Sequence, residues 1–212
     1  VFINIHKGTY LYHYHIEFQT TNDNSMVIRM FQYGFEKARE LSNVAEQEEI
    51  RLDFPKQLVI FIEENENIAD ELSLVMVLPD GKEVKYRIPT MKYGQYSAED
   101  LKNKRLYALL PLQVFKLRKR IAAIYNSNKE HEVKAQLINK EFNILLDVIR
   151  NTIDKIRELK DSEELIASDL EKILRVIKSI SEYLYNKYGE YAKTGEEVYR
   201  MVKTLYDPAV EE

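Results

Sequence analysis

The pattern of this chain predicts an α+β fold with α/β character, in which a mixed-sheet core over residues 1–125 is followed by a helical region over 126–212. Three observations predict it. Short β-rich runs separated by turn residues fill most of the first ninety positions. One of them, Leu58-Val59-Ile60-Phe61-Ile62, is continuously apolar, as a strand buried on both faces is. From Ser97 onward the spacing changes, and apolar residues recur three or four apart between charges.

The first element is a hairpin. Val1 to Ile5 is apolar and β-rich, His6-Lys7-Gly8-Thr9 supplies a turn with glycine, and Tyr10 to Gln19 resumes an extended pattern. Alternation places Tyr12, Tyr14, Ile16 and Phe18 on one face of the second strand and His13, His15, Glu17 and Gln19 on the other. After a polar loop, Asp23, Asn24 or Ser25 can cap a helix with Met26, Met30, Phe31, Phe35, Ala38 and Leu41 at helical spacing. Such a helix would pack on the sheet. The glutamate-rich segment Asn43 to Asp53, including Glu46, Glu48 and Glu49, reads as a solvated loop leading to Phe54-Pro55 and the central strand. Leu72 to Leu78 and Glu83 to Ile88, joined by Pro79-Asp80-Gly81-Lys82, form a second hairpin, so the order is β-β-α-β-β-β.

Ser97 and Asp100 stand at capping-box spacing and open a helix that Pro111 bends or restarts. Two long amphipathic helices are then expected, over about Glu130 to Lys160 and Ser162 to Tyr188. Their apolar stripes are Ile138, Phe142, Leu145, Ile149, Ile153, Ile156 and Ile166, Leu170, Ile173, Ile177, Ile180, Leu184. The short link at Leu159-Lys160-Asp161-Ser162 makes them an antiparallel hairpin. A last short helix begins at Thr194-Gly195-Glu196-Glu197 and ends before Pro208.

Composition narrows the chemistry. The chain has no cysteine, which removes thiolate catalysis and thiolate metal sites and suits a reducing, cytoplasmic setting. Any metal would be held by oxygen or imidazole. No apolar run approaches the roughly 18–20 residues of a membrane span, and the start does not read as a signal peptide, so no membrane partner is expected. With a formal net charge of -4, nucleic-acid binding would need a local basic patch. One occurs at Lys116, Arg118, Lys119 and Arg120, with Lys102, Lys104 and Arg105 upstream. It can neutralise phosphates or merely solvate a helix face. There is no P-loop, dinucleotide fingerprint, nucleophile elbow or zinc-finger spacing.

The strand ending His15-Ile16-Glu17-Phe18-Gln19 is the most informative. Glu17 and Gln19 share a sheet face, and in metal-dependent phosphodiester cleavage an acidic side chain holds a hard cation while the residue two along positions water or substrate. The pair alone also describes a solvated strand face. His13 and His15 lie on the Glu17 face, but same-face neighbours stand ~7 Å apart along a strand, so a His-His-Glu metal site is not expected and the histidines read as a polar lining of a cleft. Tyr10, Tyr12 and Tyr14 read as packing residues with a wet hydroxyl rather than base-stacking rings.

The run His15-Ile16-Glu17-Phe18-Gln19-Thr20, then Asn22-Asp23, then Met26-Val27-Ile28-Arg29-Met30-Phe31-Gln32-Tyr33, followed by Phe54-Pro55-Lys56, resembles the Rpn-like, transposase-associated branch of the PD-(D/E)XK nucleases, the recombination-promoting nucleases. The resemblance covers roughly residues 1–120. It implies a restriction-endonuclease-like core and a DNA endonuclease dependent on Mg2+ or Mn2+, associated with bacterial transposition or recombination. Residue by residue, it implies Glu17 as metal ligand, Phe18 contributing its backbone carbonyl, and Gln19 in the place of the usual lysine. Glutamine carries no charge, so Gln19 could only orient water or phosphate. Arg29 and Tyr33, four apart on the following helix, either reach phosphate or serve as an ion pair and a core edge. The chain departs from the family at one point: the aspartate expected on the preceding strand is absent from Val1 to Ile16. Its position falls at or just before Val1, and the chain is expected to begin just inside the motif, with an N-terminal helix and strand of the core upstream. The alternative is a catalytically degenerate interaction module that forms a homodimer through its C-terminal helices.

Overall fold

A computed structural model describes residues 1–21, 23, 25–42, 49–63 and 67–191. It is a mixed α+β structure with a five-stranded mixed sheet and five α-helices among the described residues. Backbone contacts divide it into two compact units, 1–94 and 95–212.

In the first unit, strands β1 (Phe2–Lys7) and β2 (Tyr10–Gln19) form the first hairpin. Gly8 takes a positive φ of 62° at the turn, which a side chain would strain. Helix α1 (Met26–Leu41) then carries the chain to β3 (Lys56–Phe61), which lies parallel to β2. Strands β4 (Glu71–Val77) and β5 (Glu83–Lys92) form the second hairpin, and the far end of β5 runs beside β3. The order β1-β2-β3-β5-β4 makes β3 central, and its Val59, Ile60 and Phe61 are buried as the apolar run requires. The core joins Met26, Val27 and Met30 of α1 to Val59, Phe61, Ile68 and Ile88. Phe35 and Leu41, expected on the buried stripe of α1, are exposed, because the buried line follows Met26, Met30, Gly34 and Ala38 at steps of four. Ser25 occupies the N-cap position without a capping side-chain bond. Asp23 instead accepts from the Ser25 amide at 2.8 Å and hydroxyl at 2.7 Å. Asn24, the third candidate cap, lies outside the described residues, as do Glu46 and Glu48; Glu49 is exposed.

The second unit opens with α2 (Ala98–Asn103), where Ser97 and Asp100 make the reciprocal capping box their spacing predicted. No single bent helix follows. Arg105 turns left-handed at φ 56° and closes α2, with the Leu106 amide returning to the Leu101 carbonyl and the Arg105 amide to that of Lys102. Residues Tyr107–Leu117 then wind as a 3-10 segment with Pro111 inside it. Proline has no N–H to give and its ring would meet the carbonyl four residues back, so α-winding is disfavoured there. Helices α3 (Arg118–Tyr125), α4 (His131–Asp161) and α5 (Ala167–Tyr188) complete the unit. The whole expected stripe of α4 is buried, and α4 and α5 pack on each other and on the 3-10 segment. Ser162 does not start α5. Glu163 at φ 58° closes α4 by the same paired return of amides, and Ile166, expected on the stripe, is exposed at the N-cap. The last helix expected from Thr194 lies outside the described residues. No described helix is long and apolar enough to cross a membrane.

Candidate functional site

The β1–β2 register pairs Phe2 with His15 and Ile3 with Tyr14. Cross-strand partners share a face, so Phe2, His15 and Glu17 lie on the side of the sheet that α1 covers. Tyr12 and Tyr14 take the opposite face, where the Lys56 ammonium sits 5.4 and 5.8 Å from their ring centres. They are half-buried, whereas Tyr10 is exposed, so the three do not form one packed tyrosine row.

His15 is the largest departure from the sequence reading. It is 2 % exposed and does not line an open cleft. Its ring stacks on Phe2 at 4.3 Å and meets the edge of Tyr33 at 5.7 Å. The Gln57 amide nitrogen lies 3.1 Å from its Nδ1 and donates to the Met30 carbonyl at 2.7 Å. Its Nε2 faces Glu17 Oε2 at 3.7 Å, beyond hydrogen-bond length but within electrostatic reach. Burial holds the His15 pKa below its ordinary value, and Glu17 partly opposes it. His13, by contrast, bonds Asn4 across the hairpin at 2.8 Å.

Glu17 is half-buried, with its Oε2 4.0 Å from the Val1 amino nitrogen, which donates to the Ile16 carbonyl. Phe18 exposes its ring on the other face. Gln19 is half-buried at the strand end, where its backbone carbonyl accepts from the Ile62 amide at 2.9 Å. Arg29 is engaged by Asp23 at 3.0 Å. The Ser25 hydroxyl and amide, and after them Arg29, hold the Asp23 carboxyl below the usual carboxylate range. Arg29 thus has an ion-pair partner within its own unit, and the exposed Tyr33 sets its ring edge against His15.

The basic cluster belongs to the second unit, and much of it is structurally occupied. Lys116 donates to the Tyr96 carbonyl, Arg118 lies 5.0 Å from the Phe115 ring centre, and Arg120 bonds Glu141 at 2.8 Å. Lys119 is exposed. Upstream, Lys102 reaches Glu158 and Lys104 lies over the Tyr96 ring. Acidic and aromatic side chains of the second unit thus lie against several of these cations, while Lys119 and Arg120 are exposed.

A hard divalent ion needs several oxygen ligands, six for magnesium. Among the described residues no group of three or more His, Asp or Glu could hold a metal ion, and Glu17 supplies a single carboxylate. The described residues therefore supply only part of a magnesium shell.

Sequence reasoning missed Gln57, Gly34 and Glu141. The first two had a signal: a polar side chain entering an apolar central strand, and a glycine inside a helix. Comparisons with models of known protein families, with curated proteins and with solved structures found no match.

Proposed function

We propose that this chain carries one acidic half of a metal-dependent DNA endonuclease site of the PD-(D/E)XK type, on a restriction-endonuclease-like sheet. One observation supports the reading above the others. Glu17 lies on the face of β2 that α1 covers, with the Phe18 carbonyl and the Gln19 side chain following it at the strand end. The Glu17 carboxylate and the Phe18 carbonyl would offer oxygen ligands to a cation, with Gln19 orienting water by hydrogen bonding. When bound, such an ion stabilises charge on a scissile phosphate.

The competing reading is an interaction module on a degenerate nuclease fold. It is favoured by the occupied cations, since Arg29 and Arg120 already serve acidic partners within their own units. The deciding experiment is calorimetric titration of Mg2+ and Mn2+ into a chain extended upstream of Val1, with plasmid cleavage in parallel. Binding and cleavage that both vanish in Glu17→Ala support the nuclease. An extended wild-type chain that binds neither ion overturns it and leaves the interaction module.

A further inference from the structure

The Met30 carbonyl can only accept a hydrogen bond, so the Gln57 atom 2.7 Å away must be its NH2 group and not its oxygen. That same nitrogen lies 3.1 Å from His15 Nδ1. A group with only protons to give requires Nδ1 to carry none, so the proton of the neutral ring is on Nε2. That nitrogen faces Glu17 at 3.7 Å. Helix α1 makes the approach of Gln57 possible through Gly34, one turn beyond Met30. A Cβ at Gly34 would lie 3.0 Å from the Gln57 nitrogen and 2.9 Å from Phe54 Cδ1. A glycine inside a helix is otherwise unfavourable, so its place here has a packing reason.

We infer that Gly34, Gln57 and His15 form a buried relay that fixes His15 as the Nε2–H tautomer, whose N–H faces the Glu17 carboxylate within electrostatic reach, making His15 a positioning residue of that carboxylate. The functional weight of the relay rests on the reading of Glu17 given above, but its geometry does not. Phe2 and Tyr33 close the ring against sliding, from β1 and α1 respectively. The titratable groups brought to it are Glu17 and, on the covering helix, the Tyr33 hydroxyl.

The test needs no metal. In the full chain, long-range nitrogen–proton correlation of the His15 ring should show the Nε2–H tautomer as a single species. In Gln57→Leu the minor tautomer should rise about fivefold, the loss of one hydrogen bond's preference, and Gly34→Ala should move it in the same direction by displacing Gln57. Three-bond couplings of Glu17 supply a readout that packing alone would not move. His15→Gln retains a donor near the Nε2 position and should preserve the wild-type Glu17 rotamer, whereas His15→Asn should release it. An Nδ1–H or doubly protonated ring in the wild type overturns the inference even if no variant folds. Identical Glu17 couplings in His15→Gln and His15→Asn overturn it too. Failure of the metal titration alone would remove the nuclease reading and leave the relay intact.

Discussion

Replacing Arg120 by alanine separates a structural cation from one available to nucleic acid. Glu141 on α4 has a side chain 8 % exposed, its Oε1 accepts from Arg120 at 2.8 Å, and its Oε2 is buried without a partner among the described residues. Breaking a fully buried pair by removing one member costs roughly 3–5 kcal/mol, because the remaining group is left desolvated and uncompensated. Here the arginine side chain is 56 % exposed, so water can follow it out and reach the carboxylate. A cost of about 2–3 kcal/mol is the reasonable figure. In a chain of 212 residues each kcal/mol moves the melting point by about 2–4 °C, so Arg120→Ala should melt roughly 5–10 °C lower if the units unfold together. Glu141→Leu removes the buried charge along with its partner's role and should be near neutral. The double variant should then resemble Glu141→Leu, with the cost of Arg120→Ala largely abolished. Urea unfolding of the four proteins measures the cycle. A loss below about 0.5 kcal/mol for Arg120→Ala, or the same loss in both backgrounds, would refute the assignment of Arg120 to Glu141.

Three further outcomes are expected. Burial pushes the Tyr86 hydroxyl up to about 12, and its oxygen is buried without a partner among the described residues, so Tyr86→Phe should gain about 1 kcal/mol in urea unfolding while keeping its packing on Phe31 and Phe54; a loss would show that the hydroxyl is satisfied. Glu163 closes α4 at a left-handed φ of 58°, so Glu163→Gly should raise stability by about 0.5–1 kcal/mol, whereas a Glu163→Ala variant of equal stability to Glu163→Gly would deny the strain. The His15 pKa is lowered on folding from 6.5, so the unfolded chain takes up the proton first as pH falls. The stability that neutral His15 contributes is complete above about pH 6.5 and is lost as pH drops toward the folded value, and the difference between wild-type and His15→Gln stability curves should show a slope below that pH and none above it.

Much of the local structure was legible because local chemistry decides it. The capping box at Ser97, the turn at Gly8, the Asp80-Gly81 hairpin, the strand order β-β-α-β-β-β and the stripes of α4 and α5 all follow from residues within a few positions of one another. Pro111 announced a break, though not the 3-10 winding that accommodates it. Alternation along β2 correctly separated the tyrosine face from the His15-Glu17 face, because a period of two is intrinsic to an extended chain.

The sequence by itself therefore determined the elements, their order and the two-faced character of β2, along with the candidacy of Glu17. Only the tertiary structure decided which of those faces α1 would cover, and that choice turned His15 from an expected cleft residue into a buried one. It also decided which charges are engaged: Arg120 with Glu141 across two helices, Arg29 with Asp23, and Gln57 with both Met30 and His15. The physical reason is that a side chain's partner is set by proximity in space, through packing that couples positions as far apart as His15 and Gln57, whereas periodicity and capping report only on neighbours along the chain.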